Sequence, residues 1–353
     1  DMSNGGILRI AGSMTAPNLG TWKPGTGTIE YSGAAQTVYS NTYNNLTLSG
    51  SGTKTISSVT VNGTLSMEGT ATVSAALTYG SSAKLQYNTS SAKDAGAEWP
   101  STFSGTGGIA IANTGTITLN GNKTLSAGVP LTINSGSTLD VSISNYSLTA
   151  GGNFTNNGTF KAEGGTLTSG GNFTNNGTLT AGTGTVTFNG SSAQTIGGSS
   201  STTFYNLTIN NSNGVTLNTS ETVSNKLTLT SGILNTGSNS ITFSVFVSNT
   251  GETTNSRIVG TAVMSGRNVG SASLNFLNVY LHSGNDVGTI TITRVTGTAI
   301  TVGSYSGIKS YWNITATNTS ATRDIEYSWL SVYDNGHSFS SSNKAQVYKS
   351  TNG

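Results

Sequence analysis

The residues whose types and spacing could support chemistry are few in this chain. In "YDNGHSF", Asp334 precedes His337 by three positions, and Ser338 and Ser340 follow. A Ser–His–Asp triad would need the fold to place three such groups within hydrogen-bonding reach. Asp-Asn-Gly is itself a strong turn signal. We therefore interpret this segment as a turn and predict no catalytic site there.

A second group of chemically capable residues lies in "YLHSGND", where His282 and Ser283 precede Asp286. Asp286 could ligate a cation, but a calcium site gathers about six to eight oxygen ligands. The chain has only 13 acidic residues and lacks a repeated Gly-Gly-x-Gly-x-Asp motif. This segment is therefore interpreted as a strand edge or loop, and we predict no metal site.

Charged side chains are sparse in the middle of the chain, where a polysaccharide-cleaving enzyme would need paired carboxylates. Between residues 124 and 225 the charged residues are Asp140, Lys161, Glu163 and Glu221. Lys161 and Glu163 are interpreted as an opposite-charge pair facing outward from one strand. Gly-rich words such as "GTGT" lack the Lys-Ser/Thr that completes a phosphate-binding loop. We therefore predict a protein that is not an enzyme and binds no cofactor.

Composition narrows the protein class further. Only 8% of the 353 residues are charged, the formal net charge is +2, and cysteine is absent. Without cysteine there is neither a disulfide framework nor a thiolate metal site, and a near-neutral chain has no electrostatic reason to bind nucleic acid. No run of about 18 apolar residues predicts a transmembrane segment. The chain starts at Asp1 without a basic, apolar leader, so we expect any export signal to have been removed.

Internal repeats are the strongest pattern in the sequence. "GGNFTNNGTF" from Gly151 returns as "GGNFTNNGTL" from Gly170, nineteen residues later, and "GTGTIEYSGAAQTV" from Gly25 resembles "GTGTVTFNGSSAQTI" from Gly182. A direct repeat of about 20 residues is typical of a solenoid, in which each winding buries its apolar face against the next. Such a repeat places Phe154 beside Phe173 and stacks matching asparagines as amide ladders.

Apolar residues alternate with polar ones within short segments, as β-strands with one buried face require. Leu46 with Leu48, and Val141 with Ile143, are examples. The side chains that we predict to stack in the core are Phe154, Phe173, Val186, Phe188, Leu207 and Ile209. The sequence therefore predicts an all-β protein with a parallel β-solenoid. A series of β-sandwich repeats is the alternative, because short strands with turn signals also suit hairpins.

The character of the chain changes near residue 243. Four of the five arginines, both histidines, Trp312 and Trp329 lie beyond it, and the strand candidates become longer, as in "GTITITRV" and "SYWNITATN". We predict a β-solenoid over residues 1–243 and an antiparallel β-sandwich domain over residues 244–353. The second domain could also cover the open strand edges of the last winding.

Three kinds of surface position suggest binding or modification. Asn-x-Ser/Thr triplets begin at the asparagines that we name as candidate glycosylation sites, Asn153, Asn157, Asn172 and Asn176. We expect four aromatic residues to be exposed and able to stack on sugar rings, namely Tyr39, Tyr43, Tyr87 and Trp99, with packing in the core as the alternative role. Recurrent Thr-x-Thr triplets could order water and bind ice, although threonine is also a favoured outward residue of strands.

The repeats resemble those of a known class of protein. "LTAGGNFTNNGTF", "GTVTFNGSSAQTI" and "LTLTSGILNTGSNSITF" are similar to repeats of very large secreted surface proteins of bacteria, especially of the Bacteroidetes–Chlorobi group, which resemble filamentous-haemagglutinin-type adhesins. The resemblance covers most of residues 25–243. It implies a secreted, cell-surface protein for adhesion or biofilm matrix and identifies no ligand. Low charge and open strand edges predict self-association into fibres, and cell-surface polysaccharide is the other expected partner. A carbohydrate-binding module, a polysaccharide-active enzyme and an ice-binding protein are the competing hypotheses.

Overall fold

The computed structural model describes residue 2, residues 4–12, residue 14, and residues 23–244 and 251–340. Within these residues the regular structure is β-strand, apart from 3-10 turns at Ser142–Ser144 and Ser331–Tyr333. The chain divides into two compact units. Unit 1 contains residues 1–190 and 198–200, and unit 2 contains residues 191–197 and 201–353.

Unit 1 is built from strands that pair in parallel with the corresponding strand of the next winding. The longest series, called the main stack, contains β1 (Ile7–Ile10), β2 (Thr28–Tyr31), β5 (Asn45–Leu48), β8 (Thr64–Met67), β11 (Lys84–Asn88), β14 (Gly108–Ala112), β17 (Leu131–Ile133), β20 (Phe154–Asn156) and β23 (Phe173–Asn175). The prediction of a parallel β-solenoid is therefore confirmed.

Shorter parallel series supply the other strands of each winding. One series consists of β3 (Gln36–Thr37), β6 (Thr53–Thr55) and β9 (Thr72–Val73). A second consists of β12 (Lys93–Asp94), β15 (Thr116–Thr118), β18 (Thr138–Asp140), β21 (Thr159–Lys161) and β24 (Thr178–Thr180). A third series consists of β4 (Thr42–Tyr43), β7 (Thr60–Val61) and β10 (Thr78–Tyr79). A fourth consists of β13 (Thr102–Phe103), β16 (Lys123–Leu125), β19 (Ser147–Ala150), β22 (Thr166–Ser169) and β25 (Thr185–Phe188).

The core of unit 1 lies between these series, because every second side chain of a strand points inward. In the main stack one inward column runs through directly paired residues, namely Ile29, Leu46, Leu65, Leu85, Ile109, Leu131, Phe154 and Phe173. All of them are buried. Burying one such side chain contributes about 1.5–3 kcal/mol, so each winding is stabilised mainly by the windings before and after it.

Close backbone approach explains the glycine of the repeated "NNGT" word. A Cβ atom added to Gly177 would lie 2.0 Å from the carbonyl oxygen of Gly158, and one added to Gly158 would lie 2.2 Å from that of Ser137. Neither separation is sterically possible, and the obstacle is backbone in both cases. Glycine is therefore required wherever this corner recurs.

One strand predicted from alternation is absent at its expected place. Val141 is buried, but Ile143 lies in the 3-10 turn and is 71% exposed. The carboxylate of Asp140 accepts hydrogen bonds from the backbone N–H of Ser142 at 2.9 Å and from its hydroxyl at 2.5 Å. This local side-chain bonding competes with strand pairing and ends β18.

Unit 2 begins with parallel strands and continues with antiparallel ones. Its parallel strands are β26 (Gln194–Gly197), β27 (Thr203–Asn210), β28 (Val215–Leu217), β29 (Glu221–Phe243) and β30 (Ser256–Asn268). Parallel pairing extends beyond Phe243, which lies opposite Met264 of β30. The division into compact units falls near residues 190–201, and the proposed boundary between residues 243 and 244 stays a prediction.

Antiparallel sheets follow, as predicted for the C-terminal part of the chain. They are formed by β30, β33 (Thr289–Thr296) and β36 (Ser310–Ala316), by β31 (Leu274–Phe276), β32 (Val279–Leu281) and β37 (Ile325–Tyr327), and by the hairpin β34 (Thr301–Val302) and β35 (Tyr305–Ser306). Phe276 packs edge-on against Phe243, with ring centroids 5.7 Å apart.

Candidate functional site

An aromatic stack occupies the interior of the two repeated windings. The rings of Phe154 and Phe173 are parallel within 2°, with centroids 5.4 Å apart. Phe160 lies edge-on to Phe154, and Phe188 lies edge-on to Phe173. Val186 is buried beside Phe188 on β25. The structure therefore brings three predicted core residues, Phe154, Phe173 and Phe188, together in one aromatic cluster, and buries the fourth, Val186, on the same strand as Phe188.

A ladder of buried amides lies two residues further along the same strands. The Nδ2 atom of Asn156 donates to Oδ1 of Asn175 at 2.8 Å and to the carbonyl oxygen of Thr178 at 2.9 Å. Oδ1 of Asn156 accepts from the backbone N–H of Gly158. Because a buried polar group without partners is costly, these bonds make the amide tolerable and fix the corner that follows.

The remaining predicted stacking residues, Leu207 and Ile209, lie in unit 2. Both are buried on β27, directly opposite Leu227 and Leu229 of β29. Unit 2 therefore also contains apolar residues that are paired directly between neighbouring strands.

The four candidate glycosylation asparagines point outward and form their own ladders. Asn153 accepts the backbone N–H of Asn172 at 3.0 Å, and Asn157 accepts Nδ2 of Asn176 at 2.8 Å. Asn153 and Asn176 are exposed, whereas Asn157 and Asn172 are half-buried. Their glycosylation stays a prediction.

Three aromatic residues proposed to stack on sugars are not accessible. Tyr43 and Tyr87 are fully buried and Trp99 is 1% exposed, so the expected exposure is wrong for them. Only Tyr39 of the four is half-buried. The reason is that these rings pack in the core of unit 1, where Tyr87 lies against Trp99 with ring centroids 5.9 Å apart. Tyr43 also hydrogen-bonds through its hydroxyl to the carbonyl oxygen of Tyr39 at 2.6 Å.

A buried polar cluster surrounds Glu98, which composition did not predict. Glu98 is fully buried, and its Oε1 atom accepts from the Tyr87 hydroxyl at 3.0 Å and from the Gly96 N–H at 2.8 Å. The Tyr79 hydroxyl donates to the carbonyl oxygen of Glu98 at 2.6 Å. Burial, with the nearby Glu98 charge, holds the pKa values of Tyr79 and Tyr87 well above their ordinary value. Both phenols therefore stay protonated and donate.

Lysines inside unit 1 bond to the backbone of neighbouring segments. The ammonium of Lys54 reaches the carbonyl oxygens of Gly33 and Ala34, that of Lys93 reaches Ala71, and that of Lys123 lies 2.6 Å from the oxygen of Trp99. Burial lowers the pKa of each lysine, and the Glu98 carboxylate opposes this for Lys93 and Lys123. The buried lysines therefore serve as hydrogen-bond donors to backbone carbonyl oxygens of unit 1.

Asp334 and His337 of "YDNGHSF" each have a side-chain partner other than one another. Asp334 accepts the indole N–H of Trp329 at 2.8 Å, and the His337 ring lies 2.8 Å from the carbonyl oxygen of Ser306. His337 meets Asp334 only through a backbone turn bond of 3.0 Å. Asn335 and Gly336 have positive φ angles of 55° and 79°. The turn interpretation is confirmed.

The residues of "YLHSGND" also have local partners. The His282 ring lies 3.6 Å from the carboxylate of Glu326 and packs edge-on against Tyr280. Asp286 accepts the Gly288 N–H at 2.7 Å. Among the described residues, no group of three or more His, Cys, Asp or Glu side chains could hold a metal ion.

The proposed pairing of Lys161 with Glu163 is wrong. Lys161 ends β21 and lies 3.8 Å from Asp140 of the neighbouring strand β18. Glu163 lies beyond the strand, at a corner with φ 48°. Matching positions of successive windings are closer than residues two apart along one strand, so the ion pair forms between windings.

Unit 2 contains a buried ion pair that the sequence pattern did not predict. Arg294 of β33 holds Glu252 through two bonds of 2.6 and 2.8 Å, and the two side chains are 2% and 6% exposed. Glu252 also accepts the backbone N–H of Ile258 at 2.9 Å. The available signal was the position of Arg294 in "TITITRVT", where alternation places it on the inward face with Ile290 and Ile292.

Comparison with known proteins gives no relative from which a function could be transferred. No protein-family model, no curated protein and no solved structure matches this chain. Among the described residues, no helix has the length and apolar character needed to span a membrane. Functional inference therefore depends on the chain's own geometry.

Proposed function

We propose that this protein is a secreted, non-enzymatic component of a bacterial cell surface, acting as a structural or adhesive module. The observation that carries the proposal is the in-register stacking of unit 1. The nine strands of the main stack pair in parallel, each with the next, so that their matching side chains lie above one another. Such a scaffold displays a long polar surface on a core that needs no ligand.

The placement of ionisable groups supports the same proposal. Four charged residues of unit 1 are buried and form hydrogen bonds with backbone groups, namely Glu98, Lys54, Lys93 and Lys123. They are not gathered in an open cleft. Their role is to satisfy the interior of the solenoid. The remaining surface carries mainly threonine, serine and asparagine, whose hydroxyl and amide groups suit hydrogen bonding to a polysaccharide.

Two experiments test this proposal: one locates the protein on the cell surface, and the other measures its adhesion. In the producing cell, the protein should be removed by protease added to intact cells, and beads coated with the full chain should bind the cells' own surface polysaccharide. A Phe154→Ala/Phe173→Ala variant should lose bead binding with its fold, whereas the exposed Thr72→Ala variant should retain it. Recovery of the protein solely from the cytosol, or turnover of the polysaccharide by the pure protein, would overturn the proposal.

Ice binding is a second candidate, favoured by the regularity of one threonine array. Ser147 and Thr149 of β19 lie opposite Thr166 and Thr168 of β22, which lie opposite Thr185 and Thr187 of β25. The Thr166 hydroxyl donates to that of Ser147 at 2.9 Å. Rungs spaced by about 4.8 Å, with positions about 6.6 Å apart along each strand, form an uncharged two-dimensional lattice of hydroxyl and methyl groups.

Ice-recrystallisation assays distinguish this candidate. If the array orders water, the chain should slow recrystallisation, and Thr168→Tyr should abolish the effect by breaking the lattice. Thr72→Tyr, at an exposed threonine outside the array, is the matched control and should change nothing. Equal activity of both variants, or none in the parent chain, would remove ice binding from consideration.

A further inference from the structure

Strand β36 lies at one side of the antiparallel sheet formed with β30 and β33. It pairs with β33 over its whole length, from Ser310 opposite Thr296 to Ala316 opposite Ile290. Among the described residues no other strand has a pairing register with it, and Ser310, Trp312, Ile314 and Ala316 make no backbone hydrogen bond outside it. Its second edge is therefore unpaired within residues 23–244 and 251–340.

The alternation of hydrogen-bonded and non-bonded residue pairs between β33 and β36 shows which backbone groups face the second edge of β36. Lys309 accepts the N–H of Gly297, and the N–H of Thr317 donates to Thr289. Because bonded and non-bonded pairs alternate in an antiparallel ladder, odd-numbered residues of β36 bond to β33. The even-numbered residues direct their N–H and C=O groups to the other side; these are Ser310, Trp312, Ile314 and Ala316.

This edge lacks the features that usually prevent strands from pairing with other chains. The sequence "SYWNITA" has no charged residue and no proline, and its register with β33 is unbroken. By contrast, the pairing of β30 with β33 is interrupted between Met264 and Arg267. Bulges, prolines and lysines are the common protection of edge strands, and β36 has none of them.

The sequence of β36 is also complementary to itself. In an antiparallel pair of two β36 strands centred on Asn313, Trp312 lies opposite Ile314 and Tyr311 lies opposite Thr315. Aromatic residues opposite β-branched ones are favourable cross-strand pairs. The two Asn313 amides meet at the centre, where each can donate to the other, and no like charges oppose one another. Asn313 and Thr315 are exposed.

We propose that β36 pairs with β36 of a second copy of this chain, joining the two antiparallel sheets into one. The proposal deepens the structural role given above and rests on it only for its biological purpose. A twofold strand pair is closed, since the same edge is used by both partners. This edge therefore produces a dimer and does not by itself extend into a fibre.

Sedimentation equilibrium of the full chain and of two edge variants tests the dimer. The parent chain should dimerise reversibly. Asn313→Lys places two like charges at the centre and should weaken dimerisation at least tenfold at low salt, with partial recovery as salt screens them. Ile314→Pro removes an N–H from the open edge and should weaken it further. Thr301→Lys, at an exposed position on β34, should dimerise like the parent.

Hydrogen exchange keeps the test independent of variant folding. The amides of Trp312 and Ile314 should exchange rapidly in dilute protein and slowly at concentrations where the dimer forms. A chain that is monomeric at all concentrations, a dimer indifferent to Asn313→Lys, or protection of both amides in the dilute monomer would overturn the proposal. A monomer that still coats cells and binds polysaccharide would leave the proposed surface function standing, so the two failures are distinguishable.

Discussion

The solenoid of unit 1 and the antiparallel sheets of unit 2 satisfy their buried polar groups over different sequence distances. In unit 1, Asn156 bonds to Asn175, nineteen positions away, in the matching place of the next winding. In unit 2, Glu252 bonds to Arg294, forty-two positions away, on a strand of unrelated sequence. Repetition supplies the first partner automatically, whereas the second depends on how the sheet closes. In unit 1 the same kind of contact should therefore recur from winding to winding, whereas in unit 2 stability should depend on contacts that occur once.

Alkaline pH should affect unit 1 most strongly. Burial raises the pKa values of Tyr43 and Tyr87 far above 10. The folded state retains phenolic protons that the unfolded state loses above about pH 10, so the free energy of unfolding falls from there by about 1.4 kcal/mol per pH unit for each tyrosine. Urea unfolding between pH 9 and 12, with hydrogen exchange to assign each unit, measures this loss.

The control for the alkaline prediction is Tyr43→Phe/Tyr87→Phe, which removes both phenols. This variant should show a shallower loss of stability above pH 10, even if it is less stable at neutral pH. The three buried lysines act in the opposite direction below pH 10.5, because folding lowers their pKa values. A parent chain whose stability is flat from pH 9 to 12 would contradict the assignment.

Truncation of the aromatic stack should be the most damaging single substitution in unit 1. Phe154→Ala removes a fully buried ring that touches Phe160 and Phe173, and large-to-small changes of this kind cost about 3–5 kcal/mol. Phe154→Leu is the matched control and should cost less because it leaves a smaller cavity. Chemical denaturation measures both, and equal losses would show that the cavity is not the cause.

Breaking the buried ion pair should be the corresponding change in unit 2. Glu252→Ala leaves the Arg294 charge buried without its partner and should cost about 3–5 kcal/mol. Replacing both residues, as in Glu252→Leu/Arg294→Met, should recover much of that loss, because the unpaired charge disappears. If the double variant were as unstable as the single one, the pair would not be the critical contact.

The amide ladder should give the smallest of these effects. Asn156→Ala removes the donor to Asn175 and to the Thr178 carbonyl oxygen, which should cost about 1–3 kcal/mol. Asn157→Ala, one residue away in an outward ladder, should change stability by less than about 0.5 kcal/mol. Thermal unfolding of the two variants compares the inner ladder with the outer one. Equal losses of stability would contradict the prediction that the buried ladder contributes more.

The two regions also differ in how well their contacts followed from sequence. The match of "GGNFTNNGTF" with "GGNFTNNGTL" correctly placed Phe154 beside Phe173, because a parallel solenoid aligns residues one repeat apart. Alternation along one strand gave the wrong partner for Lys161, which pairs with Asp140 on the neighbouring winding. The expected exposure of Tyr43 and Tyr87 was also wrong. Alternation shows which side chains share a face but not which face is enclosed.

The amino-acid sequence by itself determined that the chain forms short strands, that these recur at about twenty residues, and that apolar side chains of successive windings meet. Those properties depend on local alternation and repetition, which are visible in one dimension. Only the tertiary structure decided that Glu98 and its tyrosines are enclosed, that Arg294 meets Glu252, and that one edge of β36 has no partner strand among the described residues. Such contacts depend on how distant segments close in space, and no repeat in the sequence specifies that closure.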